Sequence, residues 1–561
     1  MGNFKILLKG SFVLSIFLIP LHANCQVAPG KYWIHFSDKN NSEFSIDNPS
    51  AFLSQRAIDR RTNQNIAFDF SDLPVNQNYI EQVLAIGNIA FLNKSKWLNA
   101  ITIFTLDSNV LNEVRDLPFV SLVKSTKQIR GKNNIEYNQV ISSSEKSSGD
   151  YYADKYGNSF NQIAMMNGHL LHDAGFEGQG MLVAVLDGGF EFANITFALQ
   201  PIFNSGNIVS TKDFTDGDDF VFNGGTHGSS VLSCMAGNLA GNLYGTSPRA
   251  KYVLLKSEIT SSEFIVEEYN YVAAAEYADS IGADIINSSL GYTQYDDPST
   301  NHTYMDMDGN TTVVTIGADK AASKGILVVS AAGNSGNNPW YYISAPSDGD
   351  SVLCIGAVDA QELHASFSSY GPSADGRIKP NVVAQGRNAV VCDDSAGVKT
   401  ASGTSFASPI LAGLAASLWG AHPTATNMDI FYAIEKSADL FDNPNDSMGQ
   451  GIPDFMKAHE YLTDYLASKA QNNTSDIITF ELFPNPSNAD VSMKFLPKSA
   501  GLCGIKIFDE KGSIVFEKKK YFKSFLYEYN FDNYFRAAPA GMYIVQLFFN
   551  GNNYSKKLSK Y

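Results

Sequence analysis

Between residues 160 and 460 short apolar runs of β type alternate with longer helix-like stretches, and this alternation constrains the fold more than any other feature. MLVAVLD at 181, YVLLK at 252, ADIINSS at 283, ILVVSAA at 326 and VLCIGAV at 352 are near-continuously apolar, whereas EFIVEEYNYVAAAEYADSIG between them has helical character. Strands apolar on both faces must be buried on both, which a parallel sheet covered by helices achieves. The expectation is an α/β domain over residues 160–462, with its site beyond the carboxyl ends of the strands.

At 561 residues the chain exceeds what a single core supports. Lys5 and Lys9, then SFVLSIFLIPL and HANCQ, form a secretory signal over residues 1–25, with cleavage near Cys25. Its apolar run is shorter than the ~20 residues of a spanning helix, so no membrane span is expected. Residues 26–125 mix strand signals (YWIHF, IAFLN, WLNAITIFTL, VSLVK) with helical ones (SQRAIDRRT, NVLNEVRDL), as a small α+β domain with an antiparallel sheet would. Residues 126–159 read as a polar, exposed linker, and residues 463–477, including SKAQNNTSD, as a second. From 478 to 561, DVSMKF, IKIFD, SIVFEK, YEYNF and GMYIVQLFF, separated by turns, predict an all-β sandwich.

The 41 Lys and Arg against 57 Asp and Glu give a formal charge of -16, which argues against nucleic acid as a partner and directs attention to protein or peptide substrates. Cys234, Cys354, Cys392 and Cys503 are too dispersed for a disulfide scaffold, although a Cys354–Cys392 pair is left open. No CxxC or HExxH motif supports zinc.

The segment ASGTSFASPI at 401 leads into LAGLAASLWG. Ser and Thr before an apolar helix serve as caps, with Pro409 tolerated in the first turn. Alternatively, Ser405 is a nucleophile at a helix N-terminus, where free N–H groups favour developing negative charge. That role needs a base and an orienting acid. MLVAVLD ends in Asp187 ahead of two glycines, and GGTHGSSVLSCMAG sets His227 at a helix start between glycines that let backbone approach closely. In a third stretch, ILVVSAAGNSG, a buried strand delivers Asn334 into a glycine-flanked loop.

The order Asp, His, Ser differs from that of the other triads, and Ser405 in GTSFA lacks the G-x-S-x-G elbow of lipases and esterases. DGGF, GGTHGSSV and SGTSFASP together resemble the signatures of the subtilisin-like serine peptidases. The resemblance implies a three-layer subtilisin-like catalytic domain acting as a secreted serine endopeptidase. Ser405 would attack, His227 would serve as base, Asp187 would orient the histidine, and the Asn334 amide would bind the oxyanion. It also implies that substrate lies along NSSLGY as an added strand on Ser289, Leu290 and Gly291, with Ala332 and Gly333 as another wall of the primary pocket. Gly188 stands where the family commonly has a hydroxyl residue, and Ser229 where it commonly has Thr.

The N-terminal domain resembles the pro-region of these enzymes, a chaperone and inhibitor of its own catalytic domain, with self-processing expected in the polar linker. FPNPS at 483, PAGMYIVQL and the closing KKLSK resemble the sorting domain of the type IX secretion system. That implies a Gram-negative bacterium, the secretion machinery as partner, and a secreted or surface location. The chemistry requires no cofactor. Structural calcium is the one candidate, at TDGDDF or at Asp306, Asp308 and Asn310 in YMDMDGNTT, against the alternative of solvated turns.

Overall fold

The computed structural model describes residues 30–126, 151–394, 397–471, 477–488, 490–531, 534–549 and 552–561. The expected signal segment, Cys25 and the expected processing region after residue 126 lie outside them.

The central domain is built on a seven-stranded parallel sheet. Its order is Val382–Gln385, Val352–Val358, Leu327–Ala331, Ile285–Ser288, Leu182–Asp187, Lys251–Lys256 and Ile208–Asp213. From Leu182–Asp187 the chain first builds toward the Ile208–Asp213 edge, then crosses to the other side and builds outward from Ile285–Ser288. Leu182–Asp187 is therefore a strand at the topological switch, where the crevice beyond the carboxyl ends opens. All six of its residues are buried, as its two-sided apolar sequence requires. Helices Val266–Ile281 and Val313–Ser323 pack on one face, while His227–Ala236 and Thr404–Ala421 cover the other. Thr404–Ala421 is buried from Thr404 through Trp419, matching its apolar character all round.

Pro409 lies in the interior of that helix, beyond the first turn where the sequence reading tolerated it. Proline cannot donate to the carbonyl four residues back, which here is that of Ser405. The hydroxyl of Ser289 donates to that oxygen instead, at 2.8 Å.

The N-terminal domain has a four-stranded antiparallel sheet in the order Ala90–Ser95, Ala100–Phe104, Lys31–Phe36, Val120–Ser125. It docks on helix Val266–Ile281 through buried charge. Asp279 accepts from Arg60 at 2.6 Å, Arg61 at 2.7 Å and Lys96 at 2.9 Å. Burial favours the protonated Asp279, but the three cations outweigh it and hold its pKa well below the usual carboxylate range. Glu276, one turn earlier, accepts the backbone N–H groups of Lys96 and Trp97.

Both expected linkers are shorter than the sequence suggested. Tyr151–Tyr156 is helical and Tyr156 is fully buried, its hydroxyl 3.0 Å from His172. Helix Phe455–Gln471 runs into the expected 463–477 linker, because Leu462 and Tyr465 continue its apolar face into the core. The C-terminal domain is the expected sandwich, with sheets of three and four strands closing on Phe495, Phe522, Val545 and Leu547. It rests on the central domain through Leu496, the stacked rings of Tyr432 and Phe525, and Lys523 donating to Ser351 at 2.6 Å. All four described cysteines are buried free thiols, so Cys354 and Cys392 are not paired.

Candidate active site

Asp187 ends its strand at the switch point and is 1% exposed. His227 opens helix His227–Ala236, and its Nδ1 lies 2.9 and 3.0 Å from the two carboxylate oxygens of Asp187. The approach is close because the next residue is glycine. A Cβ on Gly228 would stand 2.4 Å from the Gly189 carbonyl oxygen and 3.0 Å from the Asp187 Cβ. Burial is the largest influence on His227 and lowers its pKa. The charge and hydrogen bond of Asp187 reverse this and leave it above the ordinary 6.5.

Gly188 has a similar origin. Its missing Cβ would fall 2.7 Å from the Thr260 methyl group, so a side chain at this position would have to displace Thr260. Asp187 is held instead by the Gly188 backbone N–H at 2.8 Å. Ser229 donates to the Glu191 carbonyl at 2.7 Å, tying the loop after Asp187 to the histidine helix.

Ser405 is the second residue of its helix and is 8% exposed. Its Oγ lies 3.4 Å from the Ser289 carbonyl oxygen. The ring of the following Phe406 has its centre 5.9 Å from that of His227, which sets the serine helix against the histidine. Asn334 is exposed at the same edge. Its Oδ1 accepts from the Thr404 N–H at 2.9 Å and from the Thr404 hydroxyl at 3.0 Å. With the oxygen occupied by two donors, the amide is oriented and its NH2 is the end left to donate. The Nδ2 lies 3.5 Å from where a Cβ on Gly403 would stand, over the first turn of the serine helix.

Ser289, Leu290 and Gly291 follow strand Ile285–Ser288, and Ala332 and Gly333 follow its sheet neighbour Leu327–Ala331. Thr404 also receives the Gly333 N–H, at 3.2 Å. The nine residues given catalytic, oxyanion or substrate-binding roles in the sequence reading thus sit at the carboxyl edge of the sheet or on the helices against it.

The candidate calcium patches fold into turns. Asp306 accepts from Thr303, and Asp308 from Asn310 and Thr311. In TDGDDF, Asp219 pairs with Lys212 at 3.0 Å. A different cluster escaped the sequence reading. Carboxylate oxygens of Glu258, Glu263 and Glu267 lie within 4.8 Å of one another, close to Asp187. Burial, with the charges of Asp187 and Glu268, raises Glu258 to about 7, and burial, with those of Glu258 and Asp296, raises Glu263 to about 8. The only sequence signal was the density of Glu in SEITSSEFIVEE, which reads equally as a solvated helix start.

A parallel sheet that gathers at its switch point a carboxylate-bound histidine, a serine in a helix's first turn and an oriented amide defines a hydrolase domain of the serine-peptidase class. Residues 178–456 match the subtilase family, residues 31–141 the peptidase S8 propeptide domain of Bacteroidota, and residues 481–560 a secretion system C-terminal sorting domain. The chain belongs to the subtilase family of serine endopeptidases, and its sorting domain marks it as a secreted or surface protein of a Gram-negative bacterium. Among its relatives, subtilisin amylosacchariticus of Bacillus subtilis subsp. amylosacchariticus is 28% identical over 62% of this chain and 77% of its own. The thermophilic serine proteinase of Bacillus sp. (strain AK1) is 30% identical over 46% of this chain and 57% of that protein. Subtilisin-like protease SBT6.1 of Arabidopsis thaliana is 29% identical over 54% of this chain, which spans only 28% of that longer relative. Among the described residues, no helix is long and apolar enough to cross a membrane.

Proposed function

We propose that Asp187, His227 and Ser405 act as one catalytic triad in a secreted endopeptidase that removes its own pro-region. The observation that carries the reading is the Asp187 carboxylate on His227 Nδ1, at the edge shared with the first turn of the serine helix. With the proton on Nδ1 held by Asp187, the other ring nitrogen takes the Ser405 proton as Oγ attacks the scissile carbonyl. The imidazolium so formed is stabilised by the buried carboxylate, then protonates the departing amine. Water repeats the sequence in reverse on the acyl-enzyme.

The oxyanion falls to the Asn334 NH2 and the Ser405 N–H, which is among the first four of its helix and has no intrahelical acceptor. Substrate main chain would run along Ser289, Leu290 and Gly291 as an added strand, with Ala332 and Gly333 as the opposite wall. The chemistry requires no cofactor.

The test is casein hydrolysis combined with labelling by a serine-directed phosphonate. The wild type should be active and carry the label on Ser405. In a host without other secreted proteases, the intact mass of Ser405→Ala should retain residues 26 to about 125 while the wild type loses them. Unaided maturation of the variant at the wild-type rate would overturn self-processing, and a label elsewhere would overturn the triad.

A further inference from the structure

We infer that Ser233 is a positioning residue for the triad: its hydroxyl clamps the helix that carries His227 to the hairpin that delivers Ser405. The inference rests on the proposed triad and deepens it by naming what sets the spacing of base and nucleophile.

The chain reaches Ser405 through a hairpin. Strand Ala389–Cys392 pairs antiparallel with Val398–Ala401, and Ser402 and Gly403 then lead into the first turn of the serine helix. Among the described residues these two strands form a sheet of their own. The backbone groups of Ala389–Cys392 that point away from its partner strand therefore lack a ladder. The strand is buried throughout, so those groups must be met within the fold.

Side chains stand in for the missing strand. The Val390 N–H donates to Gln162 Oε1 at 2.9 Å, and Gln162 Nε2 donates in return to the Val390 carbonyl at 3.3 Å. The Cys392 N–H donates to Ser233 Oγ at 2.9 Å. Ser233 lies in the second turn of helix His227–Ala236, is fully buried, and donates its own proton to the Ser230 carbonyl at 2.7 Å. One hydroxyl thus accepts from the hairpin and donates into the histidine helix, and both bonds together fix its rotation. At the far end of the hairpin the Asn388 N–H donates to Ser402 Oγ at 3.0 Å, which carries the restraint to the residues just before the nucleophile.

The ring of Phe406 against that of His227 also joins these parts. Apolar packing is non-directional and tolerates small slides of one element along another. A hydrogen bond weakens steeply with angle and distance, so the Ser233 clamp is the contact that holds the register of helix and hairpin. Register matters here because a displacement of ~1 Å between reacting groups can cost ~10²-fold in rate. Substrate main chain runs on other segments, so loss of the clamp acts on the chemical step and leaves binding alone.

The test is hydrolysis of a peptide p-nitroanilide by the mature enzyme, with kcat taken per Ser405 titrated by phosphonate so that misfolded chains do not count. Ser233→Ala should lower kcat by ~10-fold or more with KM within a few-fold of the wild type. Ser233→Thr, which keeps the hydroxyl, should restore part of the loss. Ser417→Ala is the control, since it removes a comparable buried bond, from the Ser417 hydroxyl to the Thr246 carbonyl at 2.9 Å, and should leave kcat within about threefold of the wild type. A Ser233→Ala kcat within about threefold of the wild type, a loss carried by KM, or an equal loss in Ser417→Ala overturns the inference. If Ser233→Ala yields no mature enzyme, Gln162→Met loosens the same strand edge from another element and must show the same loss in kcat alone; a normal kcat there overturns the inference too. Hydrogen exchange on the wild type needs no variant, and a Cys392 amide that exchanges as fast as an exposed loop would show that the clamp does not hold. Failure of phosphonate to label Ser405 in the wild type would be a separate result, against the triad itself.

Discussion

Replacing Asn334 by Leu isolates one catalytic term, because the side chain's anchoring and its donating end are distinct. The amide oxygen is occupied by the Thr404 N–H and hydroxyl at 2.9 and 3.0 Å, and the NH2 is the part available to a developing negative charge. Leucine keeps the approximate shape but removes that donor, which acts on the tetrahedral intermediate far more than on the bound substrate. Loss of one such donor costs roughly 3–4 kcal/mol of transition-state stabilisation, equivalent to ~10²–10³ in kcat. Because Asn334 is exposed and the lost bonds to Thr404 are at the edge of the sheet, the fold should tolerate the change. The assay is steady-state hydrolysis of a peptide substrate with kcat and KM resolved. The expected pattern is a loss in kcat with KM within a few-fold of the wild type. Thr404→Val supplies a control, since it removes one of the two anchoring donors yet keeps the amide, and should cost much less. A variant with kcat within about threefold of the wild type, or a loss carried wholly by KM, would refute an oxyanion role.

Two further outcomes follow from the electrostatics. Activity needs His227 neutral, so kcat/KM should rise with pH through a pKa above 6.5 and be lost as pH falls below it, because Asp187 raises that value against burial. Asp187→Asn should move this acid limb to lower pH and reduce kcat by ~10⁴, whereas an unmoved limb would mean that another group titrates. At the pro-region interface, Asp279→Asn leaves Arg60, Arg61 and Lys96 buried without their shared counter-charge. In the unprocessed Ser405→Ala protein this should cost ~3–5 kcal/mol, measured by denaturant unfolding, and a loss below about 1 kcal/mol would mean that the cations relax into solvent.

Much of the fold around the proposed site was legible in the sequence because its signals are local. An apolar strand buried on both faces declares itself in six consecutive residues, as Leu182–Asp187 does. The glycines beside Asp187, His227, Asn334 and Ser405 record close backbone approach within a few positions of each functional group. The same locality explains where the linkers were overextended: Ser- and Asn-rich ends masked the apolar face of Phe455–Gln471 and the buried Tyr156. What only the tertiary structure decided joins residues distant along the chain. Ser289 spends its hydroxyl on the Ser405 carbonyl that Pro409 cannot serve, across 116 positions. Arg60, Arg61 and Lys96 meet on Asp279, and Glu258, Glu263 and Glu267 converge close to Asp187. Ser344 arrives between Gly291 and Gly333 only once strands Ile285–Ser288 and Leu327–Ala331 have paired. Polar side chains such as these carry no periodicity that foretells a partner, since a hydrogen bond or ion pair depends on distance and direction, which the chain acquires only when its apolar elements have packed.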